Sequence, residues 1–251
     1  MKRLRFALIV LSAIGGPVTA WGQSNGASPS IAAPFGSPVD DQRVFVHGLL
    51  EQFEYRAAGH DSVSRWEGEA WVGTDTHRVW IKSEGVVGRH GDVRDGDHEV
   101  LYDRPVSTYF DVQAGLRIDL DAAPGRAWAA FGIEGLAPYF LHVSATGYAS
   151  DGGHFAAKVQ LFYDQLLTQR LILQPQFEIN VYTKVDPRRQ VGSGLSNIDA
   201  GIRLRYEVNR KFAPYVGVSY QRAFTSTAQY VRAESGRAGN ASVLVGIRGW
   251  F

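Results

Sequence analysis

The sequence predicts an all-β fold, a closed antiparallel transmembrane β-barrel of about 12 strands. Three observations predict it. From Val44 to Phe251 short segments alternate apolar and polar residues and are separated by clusters of Gly, Asp, Asn, Pro and Ser, the period-two signature of strands. One face of these segments repeats Arg, Asp and Glu while the other stays almost free of charge, which suits a hydrated interior inside a lipid-facing wall. Aromatic residues make up 12% of the chain, and 28 glycines accompany them, a composition that favours strands and interfacial girdles over helices.

The first residues form a separate element. Lys2, Arg3 and Arg5 precede the apolar run Ala7 to Ile14, and small residues follow to Ala20. This is the pattern of a secretory signal peptide over residues 1–20, with cleavage after Ala20 or as late as Gln23. The run is too short to span a bilayer as a helix, and no stop-transfer pattern follows it. Residues 21–43 are rich in Ser, Gly, Pro and Ala without periodicity, and are read as a disordered periplasmic tail. The barrel is expected over residues 44–251. Beyond the leader, no apolar stretch approaches the length of a helical span. The chain has no cysteine, so an exported fold must be stabilised by something other than disulfides. A net charge of +1 with 45% hydrophobic residues points neither to nucleic acid nor to disorder of the body.

Alternation is clearest from Asp111 to Asp121, where Val112, Ala114, Leu116, Ile118 and Leu120 oppose Gln113, Arg117, Asp119 and Asp121. It recurs with Ile198, Ala200, Ile202, Leu204 and Tyr206 against Asp199, Arg203, Arg205 and Glu207, and with Trp66, Gly68, Ala70 and Val72 against Glu67, Glu69 and Trp71. A soluble sandwich would alternate too; the opposed charges on the polar face decide for a barrel, whose sheet must close because unpaired backbone groups are costly in hydrocarbon. Longer polar connections are expected at 57–64, 89–97, 121–126, 150–153, 185–196 and 226–239. Tight turns are expected near Asp75, Ser107, Ala137, Leu167 and Asn209. With an even strand number both termini lie on one side, the periplasm. The last segment, Ala241 to Phe251, alternates and stops on an aromatic residue, like the C-terminal signal read by the outer-membrane assembly machinery.

Several blocks carry a family resemblance: Trp128 to Phe140, Leu166 to Pro175, Gly192 to Ser196, Arg203 to Glu207 and Phe212 to Val218. In this order, across nearly the whole body, they resemble the CopB/PcoB family, copper-resistance protein B of the Gram-negative outer membrane. The resemblance implies an outer-membrane barrel of copper homeostasis that binds copper or transports it, beside periplasmic copper-binding and copper-oxidising proteins. The short tail departs from the Met- and His-dense extension that many family members carry. The only methionine is Met1, so the thioethers that select Cu(I) are missing and imidazole, carboxylate or amide groups would have to meet Cu(II).

The candidate metal ligands are His47 and Glu51, four residues apart on one strand face, with Glu67 and Glu69 on the neighbouring strand. The competing reading is ordinary lumen polarity. His60, His90 and His98 fall in or beside presumed outer loops, near Asp61, Asp92, Asp95 and Asp97, where a solvated surface is the alternative to an entrance site. Lys82, Glu84, Arg104, Arg117, Asp119, Glu134, Glu178, Asp199, Arg203, Arg205 and Glu207 are expected to line the lumen, either bracing the wall or forming a polar path for a cation. No nucleophile with a base, no H-E-x-x-H and no phosphate loop is found, and Ser193 lacks a strand-to-helix context, so no enzymatic activity is expected. Two functions stand: a copper-handling barrel, or a passive porin-like barrel without copper selectivity.

Overall fold

A computed structural model describes residues 43–251 except 59–61, 89–90, 92, 121–124 and 236. The leader, the tail up to residue 42, His60 and His90 therefore lie outside the described residues.

The strands are β1 (Phe45–Ala57), β2 (Val63–Gly73), β3 (Arg78–Gly88), β4 (Val93–Pro105), β5 (Phe110–Asp119), β6 (Arg126–Ala137), β7 (Leu141–Ser150), β8 (His154–Tyr163), β9 (Gln165–Leu166), β10 (Leu171–Tyr182), β11 (Gly194–Tyr206), β12 (Phe212–Ala223) and β13 (Gly239–Trp250). The two-residue β9 continues β8 beyond Asp164, and both pair with β10, so thirteen strands make twelve staves. Each stave pairs antiparallel with its neighbour in sequence, and β1 closes the ring on β13 from Leu49 opposite Trp250 to Ala57 opposite Val243. Closure leaves no unpaired edge, which is the condition for a sheet to sit in hydrocarbon. Among the described residues no helix is long and apolar enough to cross a membrane.

The wall is inverted relative to a soluble protein. Leu116 is 61% exposed, whereas Arg117 beside it is 4% exposed. Phe53, Ile81, Val100, Phe131, Val216 and Val243 also point outward and are exposed, while Glu54, Arg56, Asp103, Asp119 and Arg203 are buried. Strand alternation in the sequence thus becomes an apolar outer belt around a charged lumen. Phe131 lies midway along β6 on the outer face. Phe131→Arg should cost about 2–4 kcal/mol of barrel stability, the penalty of a cation at the bilayer midplane, whereas Phe131→Leu should be nearly neutral. Urea unfolding in lipid vesicles measures both.

All five tight turns fall at one end of the barrel, with both strand termini; the longer connections fall at the other, here termed the loop end. Two loops differ from expectation. The connection expected at 89–97 is shorter, because β4 already starts at Val93. The stretch from 226 to 239 carries a helix, α1 (Thr225–Ser235), since Ala228-Gln229 and Arg232-Ala233 favour helix and the Ala228 N–H donates to the Phe224 carbonyl at 2.9 Å. The Thr227 hydroxyl seats α1 in the wall: it accepts from the Gly192 N–H at 2.7 Å and meets Ser196 Oγ at 3.0 Å.

A bulge in β1 changes the phase of that strand. Leu50 pairs with Gly68 and Gln52 with Glu67, leaving Glu51 as the extra residue. His47, Leu49 and Glu51 therefore share the lumen face with Gln52, Glu54 and Arg56. The adjacent polar pair Glu51-Gln52 is the sequence trace of this phase change.

Candidate functional site

The lumen is organised by a recurrent conflict. Because inward residues of adjacent strands face one another in register, acids meet acids: Glu67 opposes Glu84, Asp97 opposes Asp119, Asp111 opposes Glu134, and Glu178 opposes Asp199. Like charges placed this way destabilise a sheet. Each pair is clamped by cations. Arg117 donates to Asp97 at 2.7 Å and to Asp119 at 2.6 Å. Arg78 holds Asp111 at 2.9 Å and Lys82 holds Glu134. Arg65 reaches both Glu178 at 3.0 Å and Asp199 at 3.5 Å, while Arg56 takes Asp199 at 2.6 Å.

Several of these contacts cross the barrel. β2 and β8 stand opposite one another in the ring, as β2 and β10 or β3 and β8 nearly do. Arg65 of β2 therefore spans the lumen to Glu178 of β10, Lys158 of β8 contacts Glu84 of β3, and Gln160 of β8 reaches Glu67 of β2 at 3.4 Å. These bonds form a septum. It is extended by Glu54, which accepts from Arg56 at 2.6 Å, from Arg203 Nε and Nη2 at 3.0 Å each, and from the Tyr215 hydroxyl at 3.0 Å. Gly246, opposite Tyr215 in register, makes room for that hydroxyl: a Cβ there would lie 2.5 Å from the phenol ring.

Beside the septum and toward the turn end lies a cavity of about 390 Å³. Nine carboxylates line it, from Glu51, Glu67, Glu69, Glu84, Asp97, Glu99, Asp111, Glu134 and Asp164, against four basic side chains, Arg78, Lys82, Lys158 and Arg248. The imbalance makes the cavity electronegative, and low-dielectric walls focus that field onto cations. Glu51 is held by Arg248 at 2.8 Å, Glu99 accepts from the Tyr148 hydroxyl at 2.7 Å, and Asp164 takes Arg205 at 2.8 Å. Glu69 stands in register between Leu49 and Lys82 and makes no hydrogen bond or ion pair of its own with another described residue.

At the loop end, the connection between β10 and β11 folds inward. Asp186 pairs with Arg126 of β6 at 2.8 Å, and Asp186 and Val191 bridge one another. Trp128 donates to Asp119 at 2.7 Å, and the Arg117 guanidinium stacks on Tyr148 at 4.6 Å.

Of the expected lumen residues, Lys82, Glu84, Arg117, Asp119, Glu134, Glu178, Asp199, Arg203 and Arg205 point inward and are engaged in these networks. Glu207 follows β11 by one residue, half-buried at the turn-end rim. Arg104 is a correction: it is exposed on the outer face, because Asp103, in register with Arg78, takes the lumen position. So near the turn end a long cationic side chain can reach the headgroup layer. His98 is a second correction. It lies within β4 on the outer face rather than in a loop, with its ring at 3.0 Å from Ser83 Oγ, because Asp97 and Glu99 on either side occupy the lumen.

The four expected metal ligands share the lumen face but not one position. His47 sits near the turn end with Trp71 and Trp250 rings 6.0 Å away on either side, Glu51 is paired with Arg248, Glu67 belongs to the septum, and Glu69 faces the cavity. Among the described residues no group of three or more His, Asp or Glu side chains is arranged to hold a metal ion. Sequence reasoning missed Glu54, Arg56, Arg65, Lys158 and Tyr215. Their alternation was visible, but apart from the Arg56–Glu54 pair within β1 and the Arg65–Glu67 pair within β2 their partners lie on other strands.

A closed twelve-stave barrel, apolar outside and charged within, defines an outer-membrane β-barrel. In fold it is similar to the NanC porin, with a TM-score of 0.51 at 12% identity over 82% of this chain and 99% of that one. Residues 44–251 match the family model described as copper resistance protein B precursor (CopB), and the chain belongs to that family. It is 38% identical to copper resistance protein B of Escherichia coli and 39% identical to the copper resistance protein B homolog of Pseudomonas syringae pv. tomato, in each case over 216 residues, 86% of this chain and 73% of the relative.

Proposed function

We propose that this barrel sits in the outer membrane with its turn end toward the periplasm and its loop end outward, and that its lumen binds Cu(II) and passes it across the membrane. The observation that carries this reading is the excess of carboxylates around the cavity. Hard oxygen donors with a single nearby imidazole, His142, suit Cu(II) rather than Cu(I). Copper is the cargo on this reading, and no catalytic step is involved. Residues 1–20 act as the signal peptide, and the tail up to residue 43 extends into the periplasm, where copper-binding and copper-oxidising proteins are the natural partners. The C-terminal strand ending in Phe251 is the handle for the assembly machinery.

The test is flux into liposomes carrying the purified barrel, comparing Cu(II) with Zn(II) at equal concentration. Faster copper entry is expected; equal rates would favour the passive porin-like barrel, in which the ion pairs only brace the wall. Within the copper reading, Glu69 is the carboxylate free to meet the ion. Glu69→Gln is expected to lower copper bound per barrel at low copper by about 3- to 10-fold, the range for one lost charge-assisted contact, with stability unchanged. Equilibrium dialysis read by elemental analysis checks it.

A further inference from the structure

The septum contains a cation that the barrel supplies itself. Glu67 and Glu84 oppose one another across β2 and β3, and Glu178 approaches from the far wall through Arg65, which lies 3.5 Å from Glu67, 3.8 Å from Glu84 and 3.0 Å from Glu178. With Asp199 at 3.5 Å as well, one guanidinium thus serves four carboxylates. The remaining positive charge comes from Lys158, whose ammonium crosses the lumen from β8 to Glu84. Lys158 and Glu178 are both buried, and Oε2 of Glu67 is buried without a hydrogen-bond partner.

We propose that Lys158 is a tethered cation that gates the lumen, its ammonium occupying the place among Glu67 and Glu84 that a permeating divalent cation has to take. The proposal rests on the cation-passing reading of the same cavity. Lysine is suited to the role and arginine is not interchangeable with it. An ammonium is a point charge on a flexible stem that can swing aside, whereas the Arg65 fork is fixed by several acceptors. With the pair in place, Arg65 and Lys158 face more carboxylates than they can neutralise, and the septum is closed by a bond across the barrel. An incoming divalent ion supplies two charges to the Glu67 and Glu84 pair, releases the ammonium and opens the path. The barrier is then a competition between the lysine and the ion, so it favours cations that bind carboxylates strongly over monovalent ones.

The test uses the full-length barrel in planar bilayers and liposomes. Lys158→Met is expected to raise potassium conductance and Cu(II) flux about tenfold, the change given by about 1.4 kcal/mol off a barrier, and to reduce the preference for copper over potassium. Lys158→Arg, whose fork the carboxylates hold in place, is expected to keep potassium conductance low and to slow Cu(II) flux, and Arg104→Gln, which removes a cation from the outer face, is expected to change conductance less than twofold. Heat-modified gel mobility confirms that each variant folds. Unchanged conductance in Lys158→Met, or an equal rise in Arg104→Gln, would overturn the gate. Should Lys158→Met raise potassium conductance while neither protein prefers copper to zinc, the gate stands and the copper reading fails.

Discussion

Glu54→Ala is expected to destabilise the barrel by about 3–5 kcal/mol, the cost of breaking a buried ion network by removing one partner. Glu54 is 2% exposed and accepts from Arg56, twice from Arg203 and once from Tyr215. Its loss leaves Arg203 with only the amide oxygens of Gln52 and Gln176, and neutral acceptors do not offset the desolvation of a guanidinium. Arg56 keeps Asp199, so the greater part of the penalty should fall on Arg203. Glu54→Gln should cost less, because it keeps an acceptor for one of the two arginines. Both variants also make the lumen more positive, and copper flux should fall with stability. Urea unfolding in vesicles and copper flux on the same preparations check the two effects; a stability loss below about 1 kcal/mol would mean that water, rather than protein, solvates these charges.

How much of this was legible in the sequence depends on whether the information is local. Alternation in β5 and β11 placed Arg117, Asp119, Asp199, Arg203 and Arg205 inside correctly, because one face of a strand is a property of the strand alone. The expectation of about twelve strands matches the twelve staves for the same reason: each turn is announced by its own residues. Local reading failed where the chain offered two adjacent candidates for one face. Asp103-Arg104 and Asp97-His98-Glu99 each force a choice that only the neighbouring strand makes: Arg78 opposite Asp103 draws it inward and expels Arg104. The bulge at Glu51 was hidden for a related reason, since a phase change is defined by the register with β2. The septum was out of reach altogether. Arg65 and Glu178 are separated by 113 residues and meet only after the ring has closed.

Arg117→Met is expected to match Glu54→Ala in stability and oppose it in copper handling. Arg117 is 4% exposed and clamps Asp97 and Asp119, which oppose one another across β4 and β5. Methionine preserves much of the stem's packing against Tyr148 but removes the charge, so two buried carboxylates lose their common cation, again at about 3–5 kcal/mol. Asp119 keeps the Trp128 indole N–H, which offsets part of this. The electrostatic consequence has the other sign. Asp97 borders the cavity, and a lumen with one cation fewer should bind copper more tightly at low ionic strength, with the gain shrinking as salt screens it. A divalent ion can take over the clamp that Arg117 provided, so copper should restore part of the lost stability in this variant and none in Glu54→Ala. Unfolding midpoints measured with and without copper separate the cases. If copper fails to stabilise Arg117→Met, the lumen field is not what attracts the ion, and the carboxylates serve only to brace the wall.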